Sequence, residues 1–324
     1  MPRDLLVLLA DGDIHSGEAL GNALDISRAA VCKQVKKLTE LGVNVTSIKG
    51  LGYQLAFPIE LLDSTEIKSS LHFDVDSLIS KIDVHWSIAS TNSYCLDVIK
   101  HNNRSGYVCL AENQFAGRGR RGREWISALA GGVNLSLTWQ FAGGAEVLEG
   151  FSLAIAIAIA DTLSDVYSLH DAKLKWPNDI LWGNKKIGGV LIEVVGEAGG
   201  PCSVVIGIGI NVRASGLSQR EIEQPWTDLY SALGRDVSRN KLVASLLNCL
   251  VPLLQHYEQE GFAAFHKNWK KYDAFLDGQV VVHHGGSDCI EGVARGISRS
   301  GELLLEVDGC RRAFKSGEVS LRRA

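Results

Sequence analysis

Glycine and arginine alternate in one short segment, in a pattern suited to binding an anion. The segment reads Gln114-Phe-Ala-Gly-Arg-Gly-Arg-Arg-Gly-Arg123, with three glycines and four arginines directly after an apolar run at 107–111. Glycines allow tight turns and close approach of backbone N–H groups, and guanidinium groups offer paired donors for phosphate oxygens. The pattern predicts a phosphate-binding loop that is mobile when empty and ordered around its ligand. An RNA-binding Arg-Gly segment or a flexible basic loop would have the same composition.

A second polar group surrounds a predicted hairpin in Lys173-Leu-Lys-Trp-Pro-Asn-Asp-Ile180 and the residues after it. Pro177 requires an extended residue before it, and Gly183-Asn184 suits a two-residue hairpin loop. Because side chains alternate along a strand, only one of Lys185 and Lys186 can face a binding site. An inward lysine would provide a compact positive charge for a carboxylate or an α-phosphate. A surface hairpin would instead leave both lysines in solvent.

A predicted strand, Val205-Ile-Gly-Ile-Gly-Ile-Asn-Val212, carries isoleucines on one face and Gly207, Gly209 and Asn211 on the other. The apolar face predicts a core contact, and the bare face would let a flat ligand or another backbone lie against it. Close packing of a helix on the sheet would explain the glycines equally well. A nicotinamide site is disfavoured because the spacing is not G-x-G-x-x-G and no helix follows.

A third polar group, Ser90, Thr91 and Asn92, ends one predicted strand and begins a helix. Hydroxyl and amide groups at a helix N-terminus suit a polar headgroup or an anion. The same residue types also cap helices without binding any ligand.

The elements that would position these groups alternate between strand and helix patterns. Strands are predicted at 82–86, 107–111, 133–139, 173–176, 187–195 and 203–212, and helices at 92–100, 149–168, 240–259 and 261–271. This mixed order predicts an α+β domain with helices against a sheet. Pro252 is expected to kink its helix. After it, short strands separated by Gly285-Gly286, Ser300-Gly301 and Asp308-Gly309 predict a small β-barrel.

The N-terminal segment has a separate character. It predicts three helices, with Ser16 and Ser27 as N-caps, and then a two-stranded wing around Lys49-Gly-Leu-Gly52. Residues 1–26 hold one basic and five acidic groups, whereas residues 27–57 hold five basic and one acidic. The third predicted helix carries its lysines on one side and is followed by a basic wing. This pattern favours a winged helix-turn-helix that binds DNA. A helical protein-contact domain is the alternative. The predicted DNA-binding residues are Ser27, Arg28, Lys33, Lys36, Lys37 and Lys49.

Composition limits the remaining possibilities. The 324 residues carry a net charge of −4, so a nucleic-acid contact has to be a local basic patch. Seven scattered cysteines without a C-x-x-C pair indicate reduced thiols, a cytoplasmic location and no metal framework. The apolar run Phe151 to Ala160 is shorter than the ~20 residues that span a bilayer, so no membrane contact is expected. Domains are predicted at 1–60, 61–272 and 273–324.

Taken in order, these motifs resemble the bifunctional biotin–protein ligases and biotin operon repressors over nearly the whole chain. The matching segments are Ser90-Thr-Asn92, Gly117-Arg-Gly-Arg-Arg-Gly122, Lys175-Trp-Pro-Asn-Asp179, Lys186-Ile-Gly-Gly-Val-Leu191 and Gly207-Ile-Gly-Ile-Asn211, with Ser27-Arg-Ala-Ala-Val31 in the head. The resemblance implies a winged helix-turn-helix head, a mixed-sheet ligase domain similar to class II synthetases and an SH3-like C-terminal β-barrel.

It also implies the reaction and its participants. Biotin and ATP, with Mg²⁺, form biotinyl-5′-AMP, and biotin then passes to a lysine of a biotin carboxyl-carrier protein, a subunit of acetyl-CoA carboxylase. The adenylate-bound form is expected to dimerise, to bind operator DNA and to repress biotin synthesis genes. A lipoate-type ligase without a DNA-binding head, and a plain transcription factor with a ligand-sensing domain, are the competing possibilities.

The resemblance assigns roles to individual residues. Lys186, Arg118 and Arg120 are expected to be catalytic. The biotin site is expected to comprise Ser90, Thr91, Asn92, Gln114, Arg118, Gly119, Arg120, Lys186, Gly207 and Gly209. The nucleotide site is expected to comprise Asn178, Asp179, Asn211 and Trp226, with Asn178 and Asp179 near Mg²⁺.

Overall fold

The protein was analysed as a computed structural model that describes residues 2–102, 104–196, 200–214, 222, 224–283, 289–317 and 320–323. Its N-terminal segment forms three helices and an antiparallel hairpin: α1 (Pro2–Leu9), α2 (Gly17–Leu24), α3 (Arg28–Glu40), β1 (Val45–Ile48) and β2 (Gly52–Leu55). Ser16 and Ser27 cap α2 and α3 by accepting from the backbone N–H groups three residues later. Apolar side chains at helical spacing, Val31, Val35 and Leu38, face the core of this segment. The arrangement is the predicted winged helix-turn-helix.

A seven-stranded mixed sheet forms the centre of the molecule. Its strands are β3 (Lys81–Ile88), β4 (Tyr107–Gln114), β5 (Gly132–Phe141), β6 (Ala172–Lys175), β7 (Asp179–Trp182), β8 (Lys185–Gly196) and β9 (Cys202–Asn211). The spatial order is β3-β4-β5-β9-β8-β7-β6, with β3 and β4 parallel and every other neighbouring pair antiparallel. Because β4, β5, β9 and β8 are neighbours in this order, their ends lie beside one another. The polar motifs lie at these ends.

Helices cover both faces of this sheet. They are α4 (Ser64–Ser69), α5 (Phe73–Asp76), α6 (Thr91–Asn102), α7 (Phe151–Asp165), α8 (Leu229–Leu233), α9 (Arg239–Glu260) and α10 (His266–Tyr272). The helix α6 packs on β4, β5 and β9, where it meets Cys109 and Val205. Because side chains alternate along a strand, Val108 and Val204 point to the other face, into the core formed with α7 and α9.

The segment Glu146–Asp165 is long and apolar enough, by length and composition, to cross a membrane. It includes α7, and 67% of its apolar window is buried inside the protein. Twelve of the fifteen residues of α7 are buried. Such burial on nearly all sides is typical of a core helix in a globular domain.

The C-terminal strands form a five-stranded antiparallel sheet, the SH3-like unit. They are β10 (Gln279–His283), β11 (Cys289–Ile297), β12 (Leu303–Val307), β13 (Cys310–Phe314) and β14 (Ser320–Arg323), in the order β13-β12-β11-β10-β14. Val280 and Leu305 join the same hydrophobic core as the central domain. The indole of Trp176 donates to the Gly301 carbonyl at 3.0 Å. The small sheet therefore lies against the strand turn that precedes Asn178.

A buried ion pair fixes the connection between the head and the central domain. Arg239, at the start of α9, donates to the Glu112 carboxylate at 2.7 and 2.8 Å, and both residues are at most 4% exposed. Arg239 also donates to the Glu60 carbonyl at 3.1 Å, and Glu112 accepts from the Leu62 N–H at 2.6 Å. Removing one partner of such a pair leaves an uncompensated buried charge, which costs roughly 3–5 kcal/mol.

All six predicted strands are present, with most bounds extended by one to three residues and the C-terminal ends of β6 and β9 one residue shorter than predicted. The predicted helix 261–271 is wrong in its first half: Gly261 ends α9, residues 262–264 form a 3₁₀ turn and α10 starts at His266. The helix α9 continues past Pro252 to Glu260. The predicted break at Gly285-Gly286 lies outside the described residues, and the other two predicted breaks separate strands as expected.

Candidate functional site

The Arg-Gly segment folds back on itself as a short hairpin at residues 117–125, which we call the lid. The Gly119 N–H donates to the Arg123 carbonyl at 2.7 Å, and the Trp125 N–H donates to the Gly117 carbonyl at 2.9 Å. A Cβ atom at Gly117 would lie 2.3 Å from the Trp125 carbonyl oxygen. Glycine is therefore required for the two arms of the lid to approach so closely.

A buried polar wall stands beside the base of the lid. Thr91, the first residue of α6, donates to Gln114 Oε1 from its N–H at 2.8 Å and from its hydroxyl at 3.1 Å. The Ser136 hydroxyl lies 2.7 Å from Thr91 Oγ1 and 2.6 Å from Asn92 Oδ1. Ser90 Oγ accepts from the N–H three residues later at 3.4 Å, as a helix cap does. The structure thus joins three of the predicted biotin-headgroup residues, Thr91, Asn92 and Gln114, in one network, and Ser90 caps the helix beside it.

The glycine face of β9 is the floor of this site. A Cβ atom at Gly207 would lie 2.1 Å from Asn92 Oδ1, and one at Gly209 would lie 2.5 Å from the Trp125 ring. The indole of Trp125 donates to Asn134 Oδ1 at 3.0 Å. Asn92 belongs to α6, which packs on β9, so the helix-packing interpretation accounts for Gly207. Binding of a flat ligand on this face stays a prediction.

The sequence resemblance implies that this wall binds biotin. Replacing Gly207 by alanine is then expected to raise the KM for biotin, because the new methyl group has to displace the Asn92 amide from the polar wall. Loss of one polar contact of this kind typically weakens binding by roughly five- to tenfold. Gly200→Ala is the matched control, since its added methyl group meets no atom within 4 Å. Steady-state kinetics of both variants check this; an unchanged KM in Gly207→Ala would contradict the role of the wall.

A cluster of charges lies at the other end of the floor. Lys186 Nζ is 2.5 Å from Asp179 Oδ1, and Lys175 Nζ is 4.0 Å from Asp179 Oδ2. Burial acts to raise the pKa of the Asp179 carboxyl, but Lys186 and Lys175 outweigh it and hold the pKa below its usual value. Lys186 Nζ also lies 5.6 Å from the centre of the Trp125 ring. Lys185 is exposed, so Lys186 is the inward lysine, as predicted.

Arg120, near the tip of the lid, reaches this charged end. Its Nη1 donates to Asn178 Oδ1 at 3.4 Å, and its Nη2 donates to the Ser316 carbonyl of the C-terminal unit. Burial lowers the pKa of Arg120, and the Asp179 carboxylate opposes this by favouring the charged form. Asn178 also donates to the Val190 carbonyl at 2.7 Å. The lid, the strand turn and the small sheet therefore meet at one point.

Two predicted nucleotide residues make other contacts in this structure. The Asn211 amide donates to the Thr227 carbonyl at 3.0 Å. Trp226 is 8% exposed and packs with Ala128 and Ala214. The backbone of Trp226 runs beside Lys186, and stacking of its indole on adenine stays a prediction.

Five residues of the site were not predicted: Trp125, Asn134, Ser136, Lys175 and Glu193. Glu193 accepts from Arg118 at 2.5 Å and from the Asn92 amide at 2.9 Å. A signal for two of them was present, because Asn134 and Ser136 alternate with leucine and valine in a strand that is otherwise apolar. Buried polar residues on one face of a core strand indicate either a network or a ligand.

The six predicted DNA-binding residues lie apart from this site, in the head. Ser27 caps α3, and Arg28, Lys33, Lys36 and Lys37 project from that helix. Lys49 lies at the turn of the wing, and all six side chains are exposed. The exposed cations of α3 and the wing are therefore available to phosphate groups.

The molecule combines a mixed sheet, a glycine floor, an arginine-bearing lid and an inward lysine with a winged head. These are the features of a ligase joined to a helix-turn-helix domain. The sequence matches the biotin/lipoate A/B protein ligase family over residues 85–211, an HTH domain over 3–54 and the biotin protein ligase C terminal domain over 279–322. It is 41% identical to the bifunctional ligase/repressor BirA of Salmonella typhimurium and 39% identical to that of Escherichia coli. Each alignment covers 100% of this chain and 98% of the relative. The chain belongs to the bifunctional ligase/repressor family.

A solved structure agrees with this assignment. The biotin protein ligase from Aquifex aeolicus in complex with biotin and ATP superposes with a TM-score of 0.65 at 26% identity, and the match covers 76% of this chain and 100% of that one. The α+β ligase fold is therefore established, and this chain is longer than that relative.

Proposed function

We propose that the protein is an ATP-dependent biotin–protein ligase and a biotin-responsive repressor of biotin synthesis genes. In the first step, a biotin carboxylate oxygen attacks the α-phosphorus of ATP, the bond to the β-phosphate oxygen breaks and pyrophosphate leaves. In the second step, a lysine amine of a biotin carboxyl-carrier protein attacks the acyl carbon, the bond to the AMP oxygen breaks and the amine proton passes to solvent. The carrier is a subunit of acetyl-CoA carboxylase.

The observation that carries this proposal is the Lys186–Asp179 pair at the end of the glycine floor, beneath the lid. Lys186 Nζ lies 2.5 Å from Asp179 Oδ1, and Asp179 is only 9% exposed, so the carboxylate holds the ammonium group in one place. Fixed charges in a site with little water stabilise developing negative charge without reorganisation. In this proposal the biotin headgroup occupies the polar wall, and Lys186 bridges the biotin carboxylate and the α-phosphate.

The other residues position the substrates. Thr91, Asn92 and Gln114 supply donors and acceptors for the ureido head, with Ser90 at the helix end behind them. Arg118, Gly119 and Arg120 close over the adenylate. Asn178, Asp179, Asn211 and Trp226 border the nucleotide. No residue forms a covalent intermediate, so catalysis depends on positioning and electrostatics.

Magnesium enters as part of the ATP substrate. The described residues contain no group of three or more His, Cys, Asp or Glu side chains that could hold a metal ion. Asp179 is anionic at neutral pH because its pKa is lowered, so it fits as a single oxygen ligand. The phosphate oxygens of ATP supply the rest of what Mg²⁺ prefers.

The experiment that tests the activity is mass spectrometry of a carrier domain after incubation with the protein, ATP and either biotin or lipoate. Addition of one biotinyl group supports the proposal, and addition of a lipoyl group would replace it with the lipoate-type alternative. If neither group is added, the chain acts only as a ligand-sensing regulator.

The head contributes the repressor function. Replacing Lys36 by alanine is expected to weaken binding to duplex DNA and to lower the slope of log affinity against log salt by about 1. Lys68→Ala is the control, because Lys68 is also an exposed lysine on a helix, α4, outside the head. Fluorescence anisotropy over a salt series measures both. An unchanged slope for Lys36→Ala would place the DNA contact elsewhere.

A homodimer is proposed for the adenylate-bound form, with two heads on a palindromic operator. The strand β8 supports it: β7 pairs with β8 only as far as Gly189, and Asn178 engages Val190. Along Leu191–Gly196, β8 therefore has a strand neighbour on one side only among the described residues, and Val194 is 46% exposed. Such an edge can pair with its copy. Sedimentation with and without biotin plus ATP tests this, and a monomer in both conditions refutes it.

Domain limits at 1–60, 61–272 and 273–324 and a cytoplasmic location complete the proposal. All seven cysteines are free thiols in the structure, which suits a reducing compartment. Limited proteolysis near residue 60 tests the first boundary.

A further inference from the structure

Glu193 lies on β8 where the polar wall and the lid meet, and the roles assigned above make no use of it. Its Oε2 atom accepts from Arg118 Nη2 at 2.5 Å and from Asn92 Nδ2 at 2.9 Å. The Glu193 side chain is 24% exposed and that of Arg118 is 42% exposed. One carboxylate oxygen therefore links the first arginine of the lid to a residue of the predicted headgroup site.

The strand register explains how this contact arises. Leu191 pairs with Gly207 and Glu193 pairs with Val205 across β8 and β9. Because alternate residues of a strand share a face, Glu193 projects on the side where Asn92 covers Gly207. The Asn92 amide also donates to the Leu191 carbonyl at 3.4 Å. Asn92 is thus held from three sides, by Ser136, by the β8 backbone and by Glu193.

Charge makes the Arg118 contact different from the Asn92 contact. The guanidinium group requires an anionic partner for its full interaction, whereas the neutral amide needs only an acceptor oxygen. Trp125, the lid residue that contacts Gly209 of β9, has no charge. Arg118 is therefore the charged anchor of the lid on the β8 side.

We infer that Glu193 is a positioning residue that holds the base of the lid and the biotin wall in register, so that biotin affinity and retention of the adenylate depend on one carboxylate. This inference rests on the proposed ligase function. It predicts that the two effects separate when the carboxylate is changed to an amide of the same shape.

The test compares Glu193→Ala with Glu193→Gln. Glu193→Ala removes both contacts, so the KM for biotin is expected to rise and the half-life of the bound adenylate to fall, each by roughly three- to tenfold. Glu193→Gln keeps an acceptor for Asn92, so most of the rise in KM is expected to be reversed. The shorter half-life is expected to persist, because Arg118 has lost its anionic partner.

Retention is measured by forming the adenylate with radiolabelled ATP, removing free biotin and ATP, and following its release. Asp277→Asn is the matched control: Asp277 pairs with Arg295 at the same 2.5 Å, in the C-terminal unit. The effects of Arg118→Ala and Glu193→Gln on retention are expected to be non-additive, as for two residues in one contact. A merely structural role of Glu193 would change KM and retention together in both variants.

Three outcomes overturn the inference: a Glu193→Gln variant with wild-type retention, one whose KM rises as far as that of Glu193→Ala, or additive effects with Arg118→Ala. The wild-type protein separates this from the ligase function. If it releases pyrophosphate only with biotin present, the ligase proposal stands whatever the Glu193 variants do; if it does not, both proposals fail.

Discussion

Lys186→Ala is expected to slow formation of biotinyl-5′-AMP by about 10²–10³-fold, the usual cost of removing one preorganised group that stabilises a developing charge. The ammonium group is fixed 2.5 Å from Asp179 and faces the Trp125 ring. Another cation would have to leave its own position to take over this role. Lys175 is the nearest other cation, at 4.0 Å from the same carboxylate. Pyrophosphate release under single-turnover conditions measures this step directly.

Lys185→Ala provides an unusually close control. Lys185 is the adjacent residue of the same strand, but its side chain is exposed on the opposite face. Its replacement is expected to leave pyrophosphate release within about twofold of wild type, since surface substitutions away from a site cost little. Equal losses in the two variants would show that Lys186 acts through the hairpin and not through its charge.

Lys186→Ala is also expected to lower stability, because Asp179 stays buried with its nearest counter-charge removed. The pKa of Asp179 should then rise, since burial already acts in that direction and Lys186 was the main opposing charge. The carboxylate contribution to stability is present at neutral pH and is lost as the pH falls through the folded-state pKa. In the variant the folded-state pKa lies closer to the unfolded value, so less stability is expected to be lost on acidification than in the wild type. Thermal unfolding between neutral and acid pH would detect this difference. Measuring chemistry near neutral pH and low temperature keeps the variant folded.

Elements with a strong local signal could be predicted from the sequence. The alternation of β9, the caps of α2 and α3 and the turn at Gly183-Asn184 are each determined by residues close together in the chain. The strand pattern alone shows that one of Lys185 and Lys186 faces inward. It does not show which, because alternation puts the two side chains on opposite faces without saying which face is buried. The contact with Asp179 across the hairpin decides it.

Residues that act through distant partners could not be predicted. Glu193 is an ordinary acidic residue in a strand, and its role depends on Asn92 and Arg118, which lie 101 and 75 positions away. The strand β7 was implied by the predicted loop at Gly183-Asn184 but was not given bounds, because four residues after a proline turn form too short a pattern to delimit. The 3₁₀ turn after Gly261 was not predicted, because its apolar residues continue the helical spacing of the helices on both sides.

The lid predicted from composition alone has more structure than its glycines suggested. Two backbone hydrogen bonds join the two arms of the hairpin, and the Trp125 contact with Gly209 and the Arg118–Glu193 pair attach its base to the sheet. The tip is attached mainly through Arg120, by contacts with Asn178 and with the C-terminal unit. A change at the tip can therefore open the lid while the base stays in place.

Arg120→Gly is accordingly expected to let the adenylate escape before transfer, so that lysines of bystander proteins become biotinylated. The guanidinium group is the only part of Arg120 that reaches Asn178 and the Ser316 carbonyl, and glycine removes both contacts while leaving the hairpin backbone possible. Because Lys186 and Asp179 are untouched, the adenylate should still form, and the lost step is its retention. Mass spectrometry of an added bystander protein, in the presence of the carrier domain, measures the leak.

Arg121→Gly tests whether the arginine or the added flexibility matters. Arg121 is the next residue of the same turn, is exposed and has a φ of +57°, a conformation that glycine adopts freely. Its replacement adds the same backbone freedom but removes no contact with Asn178 or Ser316. Labelling confined to the carrier in Arg121→Gly and spread to the bystander in Arg120→Gly is the expected result. Equal leakage in both variants would mean that the turn as a whole, and not the Arg120 guanidinium, keeps the lid closed.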